Sequence, residues 1–130
     1  SNRLIPVHPE LIRVGLPEHR ERRRQEGEMS LFGCEPGSKG DYAPFSQWYR
    51  RFMDSVGITD RGRLAFHSFR HTFEQAMLDA GIADSIRYQL GGRTQGHSSE
   101  LYVTGVKPKR AFDEISRVEY LGLDLSQLHS

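Results

Sequence analysis

Two stretches of this chain repeat apolar side chains at the three- and four-residue steps of an amphipathic helix. The first runs from Pro44 to Val56 and stops before Gly57, and the second runs from His67 to Gly81. Because a helix turns once in about 3.6 residues, the apolar side chains of each stretch share one face. These faces are Phe45, Trp48, Tyr49, Phe52 and Val56 in the first helix, and Phe66, Phe69, Phe73 and Met77 in the second. The sequence therefore predicts a mainly α fold in which both faces contribute to the core.

Shorter elements are predicted on either side of these two helices. Arg3 to Val7 alternates weakly between polar and apolar residues, which predicts one residual short strand at the N-terminus. Proline in a first turn and glycine after a last turn mark the remaining helices. One of these helices starts at Pro9. The other three are predicted at Glu18–Glu26 before Gly27, at Asp84–Leu90 before Gly91 and Gly92, and at Pro108–Val118.

Length and composition limit the class of protein. The 130 residues are the size of one domain, and the single cysteine, Cys34, excludes an internal disulfide and a multi-cysteine zinc site. The 18 basic and 17 acidic residues give a net charge of +1, not the strongly basic balance of a typical nucleic-acid binder. Any contact with DNA must therefore rest on local clusters of arginine and lysine. No apolar run approaches the roughly 20 residues of a membrane span, so we expect a cytoplasmic protein with no membrane contact.

A cluster of cations lies beside the apolar face of the second helix. His67, Arg70 and His71 follow the same helical steps along a neighbouring stripe. Such a cluster suits a phosphate, because the arginine fork gives two hydrogen bonds to one anion and histidine is a switchable donor near neutral pH. The residues alone also allow histidines that cap or pack against neighbouring elements. No metal site is predicted, since no third carboxylate or thiol lies at ligand spacing from the two histidines.

The cluster also carries a family resemblance. His67-Ser68-Phe69-Arg70-His71 resembles the H-x-x-R-H box of the tyrosine recombinases, the phage-integrase family. The flanking residues follow in that family's order. They are a helix ending in Ala80-Gly81-Ile82, a short helix ending in Leu90 and glycine, and a tyrosine at Tyr102. The opening Arg3–Leu11 and the ending Tyr120–Leu125 look similar to the family as well. The resemblance thus identifies residues 1–130 as the C-terminal part of a catalytic domain, truncated on its N-terminal side.

The resemblance implies an enzyme that breaks and rejoins DNA in site-specific recombination and integration. Tyr102 would attack the scissile phosphate, form a 3′-phosphotyrosyl bond and release a 5′-hydroxyl. Because the covalent bond stores the phosphodiester energy, no cofactor is expected. Arg70 would clamp the phosphate, His67 would donate to it or help to move the tyrosine proton, and His71 would support the box.

Two departures from the family pattern bear on activity. Arg93 stands where the family usually has histidine or tryptophan, and His97 lies out of register for that role. An arginine keeps its proton at neutral pH and therefore cannot act as a proton donor there. The family's first catalytic arginine and its hairpin lysine are also not among these residues and are expected upstream. We therefore expect this fragment alone to perform no recombination.

Further arginines and lysines are candidates for sequence-independent contacts with DNA. Arg50, Arg51 and Lys107 are candidate ligands of the DNA backbone, and such contacts would be salt-sensitive. Simple solvation of the same side chains is the alternative. The basic run Arg20–Arg24 is interpreted as a solvated helix face, because Glu18, Glu21 and Glu26 offset its charge.

The expected partner is a double-stranded DNA attachment site, bound by a homo-tetramer of the parent protein, a bacterial or phage-encoded protein of the cytoplasm. The apolar tail Leu121, Leu123, Leu125 and Leu128 would dock either on a neighbouring subunit or on its own domain. Two other functions stay open. One is a degenerate integrase remnant, marked by Arg93, that acts only as a DNA-binding module. The other is an unrelated helical interaction domain in which the histidines are packing residues.

Overall fold

The computed structural model describes residues 3–33, 43–60, 62–92 and 106–130. In these ranges the chain is helical and contains no β-strand, which confirms the mainly α fold class. None of these helices is both long enough and apolar enough to cross a bilayer. The helices are α1 (Pro9–Arg13), α2 (Leu16–Gln25), α3 (Ala43–Ser55), α4 (Ser68–Asp79), α5 (Asp84–Gly91) and α6 (Pro108–Ile115), followed by a 3-10 turn at Ser126–Leu128.

The short N-terminal strand is not confirmed. Arg3 to Val7 has no regular secondary structure, because a strand needs a neighbouring strand for its backbone hydrogen bonds and the described residues supply none. Helix α1 nevertheless begins at Pro9, as predicted. Its cap is His8, whose Nδ1 accepts a hydrogen bond from the backbone N–H of Glu10 at 3.0 Å. Since Nδ1 accepts, Nε2 carries the hydrogen and donates to the backbone oxygen of Val118 at 2.9 Å.

The chain divides into two compact units. One comprises Ser1–Val14 and Phe69–Ser130, and we call it the α4–α6 unit; the other, Gly15–Ser68, is the α2–α3 unit. Among the described residues the buried apolar core belongs to the α4–α6 unit, and Phe73, Ala80 and Val106 pack against it. Its buried members are Ala76, Met77, Ile82, Ile86, Leu90, Ile115 and Val118.

Gly81 sets the turn that connects α4 to α5. Its φ of 70° is left-handed, a conformation that glycine adopts without steric cost. The N–H of Gly81 donates to the oxygen of Leu78 at 2.9 Å, and the N–H of Ile82 donates to the oxygen of Met77 at 3.1 Å. This pair of bonds defines a Schellman motif, which usually brings an apolar contact with it. Here Ile82 and Met77 are both buried in the same core, so the turn fixes how α5 packs on α4.

The predicted apolar stripe on α4 is only partly buried. Phe73 and Met77 join the core, but Phe66 is 55% exposed and Phe69 is 61% exposed. Phe66 precedes the helix and packs its ring edge-on against Phe45 and Tyr49 of the α2–α3 unit, with centroid distances of 5.2 and 5.3 Å. The expectation of one continuous buried stripe was therefore wrong. Phe66 belongs to the other unit, and Phe69 stays exposed in the same unit as Phe73 and Met77.

The predicted face of α3 forms an aromatic cluster instead of a buried core. Trp48 and Phe52 stack at 5.6 Å with an interplanar angle of 12°, and Phe45 lies 5.7 Å from Trp48. No residue of α3 is buried, and Trp48, Phe52 and Val56 are exposed. The helix itself spans Ala43–Ser55, within one residue of the predicted range.

The last residues of the tail lie on α1 of their own unit. The backbone N–H of Ser130 donates to the oxygen of Arg13 at 2.9 Å, and His129 Nε2 lies 2.6 Å from Glu10 Oε1. The hydrogen bonds that Glu10 accepts from His129 and then from Arg13 hold the pKa of its carboxyl below the ordinary 4.5. The last two residues of the tail therefore contact their own unit. The side chains of Leu121, Leu123 and Leu128 are exposed.

Candidate functional site

The predicted box lies at the start of α4. The helix begins at Ser68, one residue later than predicted, so His67 occupies the preceding turn and Arg70 and His71 occupy the first helical turn. The Ser68 side chain holds this turn: its Oγ donates to the oxygen of Arg63 at 3.1 Å and accepts from the N–H of Ala65 at 3.2 Å. The box thus begins at a hydrogen-bonded turn, with His67 and His71 exposed and Arg70 half-buried.

Arg70 forms an ion pair with Glu74 one turn further along α4. Its Nε lies 3.3 Å from Glu74 Oε1. A guanidinium has five N–H donors, and this ion pair engages only the Nε side of the group. Such a pair restrains the direction of the guanidinium without using all its donors. Arg70 is therefore held in one orientation and keeps the chemistry needed to bind an oxyanion.

Helix α5 ends beside this ion pair. Gly91 is buried, and a Cβ added there would lie 3.7 Å from Glu74 Oε1 and 3.7 Å from Met77 Cε. These are ordinary van der Waals distances, so the position has room for a Cβ. They show that Glu74 and Met77 of α4 pack against the end of α5, which lies next to the Arg70–Glu74 pair.

Gly92 brings a second arginine to the same end of α5. It is the C-cap of the helix, with a left-handed φ of 69°. The guanidinium of Arg3 occupies the space where a Cβ of Gly92 would lie. Sequence reasoning treated Arg3 only as part of a strand and missed this contact. No local pattern connects the two residues, so only the folded chain reveals it.

Tyr102, Arg93 and His97 lie outside the described residues. The residues that flank them are anchored on α5. On one side the N–H of Gly92 bonds to the oxygen of Tyr88, and on the other the N–H of Val106 donates to Gln89 Oε1 at 3.0 Å. Tyr102 precedes Val106 by four residues in the sequence.

Tyr120 is the tyrosine of the same unit that follows Tyr102. It is partly buried, and this burial raises the pKa of its hydroxyl above the ordinary 10.0. The resemblance gives Tyr120 no catalytic role, so it is a suitable comparison for Tyr102.

The remaining basic candidates fall in different places. Lys107 is exposed at the N-cap of α6, directly after Val106. Arg50 and Arg51 are exposed on α3, and Arg50 also lines an apolar cavity of about 590 Å³ in the α2–α3 unit. The other residues around that cavity are Phe45, Ser46, Tyr49, Met53, Ile58, Leu64, Ala65 and Phe66.

The basic run on α2 is offset by its acidic neighbours, as its composition indicates. Arg24 pairs with Glu21 at 2.7 Å, and Arg23 lies 3.6 Å from Glu26 and 3.4 Å from Glu28. These contacts fit a solvated helix face. Within residues 3–33, 43–60, 62–92 and 106–130, no three histidine, cysteine or acidic side chains are grouped so as to hold a metal ion.

No protein-family model matches this chain, and no curated protein or solved structure is similar enough to count as a match.

Proposed function

We propose that residues 1–130 are the C-terminal part of the catalytic domain of a tyrosine-type site-specific recombinase of the phage-integrase kind. The parent protein binds duplex DNA as a tetramer in the cytoplasm of a bacterium and integrates or excises DNA. Tyr102 attacks a backbone phosphate, so that a bond from its oxygen to phosphorus forms as the bond to the 5′-oxygen breaks. The tyrosine loses its proton and the 5′-oxygen gains one, and the reverse steps rejoin the strands.

One observation carries this proposal: Arg70 of the box and both flanks of the Tyr102 segment belong to the same compact unit. Arg70 reaches α5 through Glu74, which lies against Gly91. The chain leaves α5 at Gly92 and is fastened to α5 again through Gln89 and Val106. The proposal places the nucleophile of the intervening segment close to the phosphate held by Arg70, because in-line displacement requires that positioning.

Each residue of the box has a distinct task in this mechanism. Arg70 donates to two non-bridging phosphate oxygens and stabilises the charge that develops on them in the transition state. Glu74 orients Arg70 and does not touch DNA. His67 donates to the phosphate or moves the tyrosine proton, and His71 supports the box. Arg93 adds positive charge but no acid, since its proton is not released at neutral pH.

Covalent trapping tests the proposal. The substrate is a nicked suicide duplex from which the short 5′-hydroxyl strand diffuses away, and the protein is the longer parent with its upstream arginine and lysine. We expect a protein–DNA adduct that survives denaturation and is lost in Tyr102→Phe. The matched control Tyr120→Phe removes a hydroxyl from the same unit and should keep the adduct. An adduct that persists in Tyr102→Phe would show that Tyr102 is not the nucleophile.

The alternative function, a degenerate integrase that only binds DNA, gives a different result in the same covalent-trapping assay. A degenerate integrase binds the duplex but forms no adduct, because Arg93 has replaced a proton donor. Arg93→His would then create an adduct where the natural sequence forms none. An adduct formed by the natural sequence, lost in Tyr102→Phe, excludes the remnant.

A further inference from the structure

We propose that Arg3 is a second phosphate-binding guanidinium of this site and contacts a backbone phosphate close to the one held by Arg70. This inference rests on the proposed function, because it assumes duplex DNA at the box. It adds a residue that the family resemblance does not assign. The contact that suggests it is the guanidinium of Arg3 lying against Gly92.

The two arginines approach the same helix end from different elements. Arg70 Nε lies 3.3 Å from Glu74 Oε1, and that oxygen faces the Cβ position of Gly91 at 3.7 Å. Gly91 and Gly92 are consecutive, and the guanidinium of Arg3 touches the Cβ position of Gly92. The sum of these contact distances and of the backbone between Gly91 and Gly92 places the two guanidinium groups at most about 17 Å apart. Duplex DNA carries a charge every 1.7 Å or so of its axis, so one duplex presents phosphates to both groups.

The charge of Arg3 has no counter-ion in the described part of the chain. Arg3 is exposed, and no described carboxylate lies within ion-pair distance of it. Arg13 and Arg117, in the same unit, each pair with a glutamate three residues away. An exposed guanidinium seated against backbone and lacking an acid is suited to an external anion.

A purely structural role for Arg3 makes a different prediction. Cations stabilise helix C-termini by facing the last carbonyl groups, so Arg3 at the end of α5 could act only as a cap. A cap would donate hydrogen bonds to those carbonyl groups. Among the described residues, Arg3 makes no such hydrogen bond. A capping role also leaves DNA affinity unchanged once the protein is folded, which separates the two roles by experiment.

Equilibrium binding of the parent protein to a labelled duplex oligonucleotide over a salt series tests the proposal. We expect Arg3→Gln to weaken binding about tenfold, since it loses one charged hydrogen-bonding group. The slope of log affinity against log salt should fall by about 0.9, the value for one phosphate. The control is Lys109→Gln, which removes one charge from the same unit where Lys109 pairs with Asp113 at 2.9 Å. It should change the affinity by less than twofold.

The outcomes separate this inference from the proposed function. If Arg70→Gln weakens binding while Arg3→Gln behaves like Lys109→Gln, Arg3 is not a phosphate ligand and the proposed function stands. If the parent protein binds no duplex at all, the proposed function fails and the role of Arg3 fails with it.

A second measurement needs no folded Arg3→Gln variant. In the natural protein, the Nε–Hε resonance of Arg3, assigned by its loss in Arg3→Lys, is followed during titration with the same duplex. We expect it to shift and to exchange more slowly with solvent as the phosphate binds. A resonance that does not move at saturating duplex would overturn the proposal.

Discussion

Gln89 Oε1 accepts a hydrogen bond from the backbone N–H of Val106 at 3.0 Å, and Val106 packs against the core formed by α4, α5 and α6. This bond fastens the chain to α5 four residues after Tyr102. Val106 is the first described residue after the segment that carries the proposed nucleophile, and this bond holds it on α5. Breaking that bond should affect the covalent step more than DNA binding.

Gln89→Ala removes the acceptor, leaves the Val106 N–H without its partner, and should cost about 1 kcal/mol of stability. In the parent protein we expect the rate of covalent adduct formation to fall about tenfold with duplex affinity nearly unchanged, because only the positioning of Tyr102 is lost. Gln89→Glu keeps an acceptor oxygen and should retain most of the rate. Equal rates for the natural protein and Gln89→Ala would show that this bond does not position the nucleophile.

Glu74→Gln tests whether Glu74 orients Arg70. Loss of the carboxylate leaves the guanidinium free to turn and removes a negative charge near the bound phosphate. We therefore expect duplex affinity to stay equal or rise, while the single-turnover rate of adduct formation falls about tenfold. Glu114→Gln is the matched control, since Glu114 is 22% exposed, Glu74 is 19% exposed, and each pairs with an arginine of the same unit. A rate as high in Glu74→Gln as in Glu114→Gln would contradict the orienting role.

The contact between the tail and α1 should make stability depend on pH in the acid range. The folded pKa of Glu10 lies below its ordinary 4.5, so the folded state holds this proton less tightly than the unfolded chain. The resulting stabilisation is complete above pH 4.5 and is lost as the pH falls through the lowered pKa. Melting temperatures between pH 6 and pH 3 should fall less steeply for Glu10→Gln than for the natural chain. The control Glu119→Gln, at an exposed glutamate of the same unit, should keep the natural slope, and identical slopes for Glu10→Gln and Glu119→Gln would contradict the linkage.

Met77 should be the most sensitive position of the core. It is 1% exposed and contacts both α5, at Gly91, and the turn at Ile82. Met77→Ala removes a buried side chain and leaves a cavity, which typically costs 2–5 kcal/mol, or roughly 3 kcal/mol here. Met29→Ala makes the same chemical change at a residue that is 98% exposed and should cost almost nothing. Urea unfolding of the two variants measures the difference, and equal midpoints would show that the described core is not the stabilising one.

The sequence predicted the helices well because their signals are local. Pro9 and Pro108 lie in first turns, and Gly81 lies in the left-handed turn that ends α4. Helix ends depend on a few adjacent residues, so they can be predicted from the sequence without knowledge of the fold. The box on α4 and the glycine pair at the end of α5 were predictable for the same reason.

Burial and long-range contacts were less predictable. Helical periodicity assigned Phe69 and Met77 to one face, yet only Met77 is buried, because burial depends on what packs against each turn. The contact between Arg3 and Gly92 joins opposite ends of the sequence and has no local signature. The roles of Tyr102 and Arg93 stay predictions, since they follow from the resemblance and from chain geometry alone.

The central claim is that Tyr102 becomes covalently joined to DNA, and peptide mapping of the trapped adduct tests it most directly. The parent protein is reacted with the suicide duplex, the adduct is digested with nuclease and protease, and the modified peptide is identified by mass spectrometry. We predict a single modified peptide that contains Tyr102 and carries a nucleotide joined through its 3′-phosphate. A nucleotide on any other residue, or no adduct in a parent that binds the duplex and carries Arg93→His, would contradict the claim.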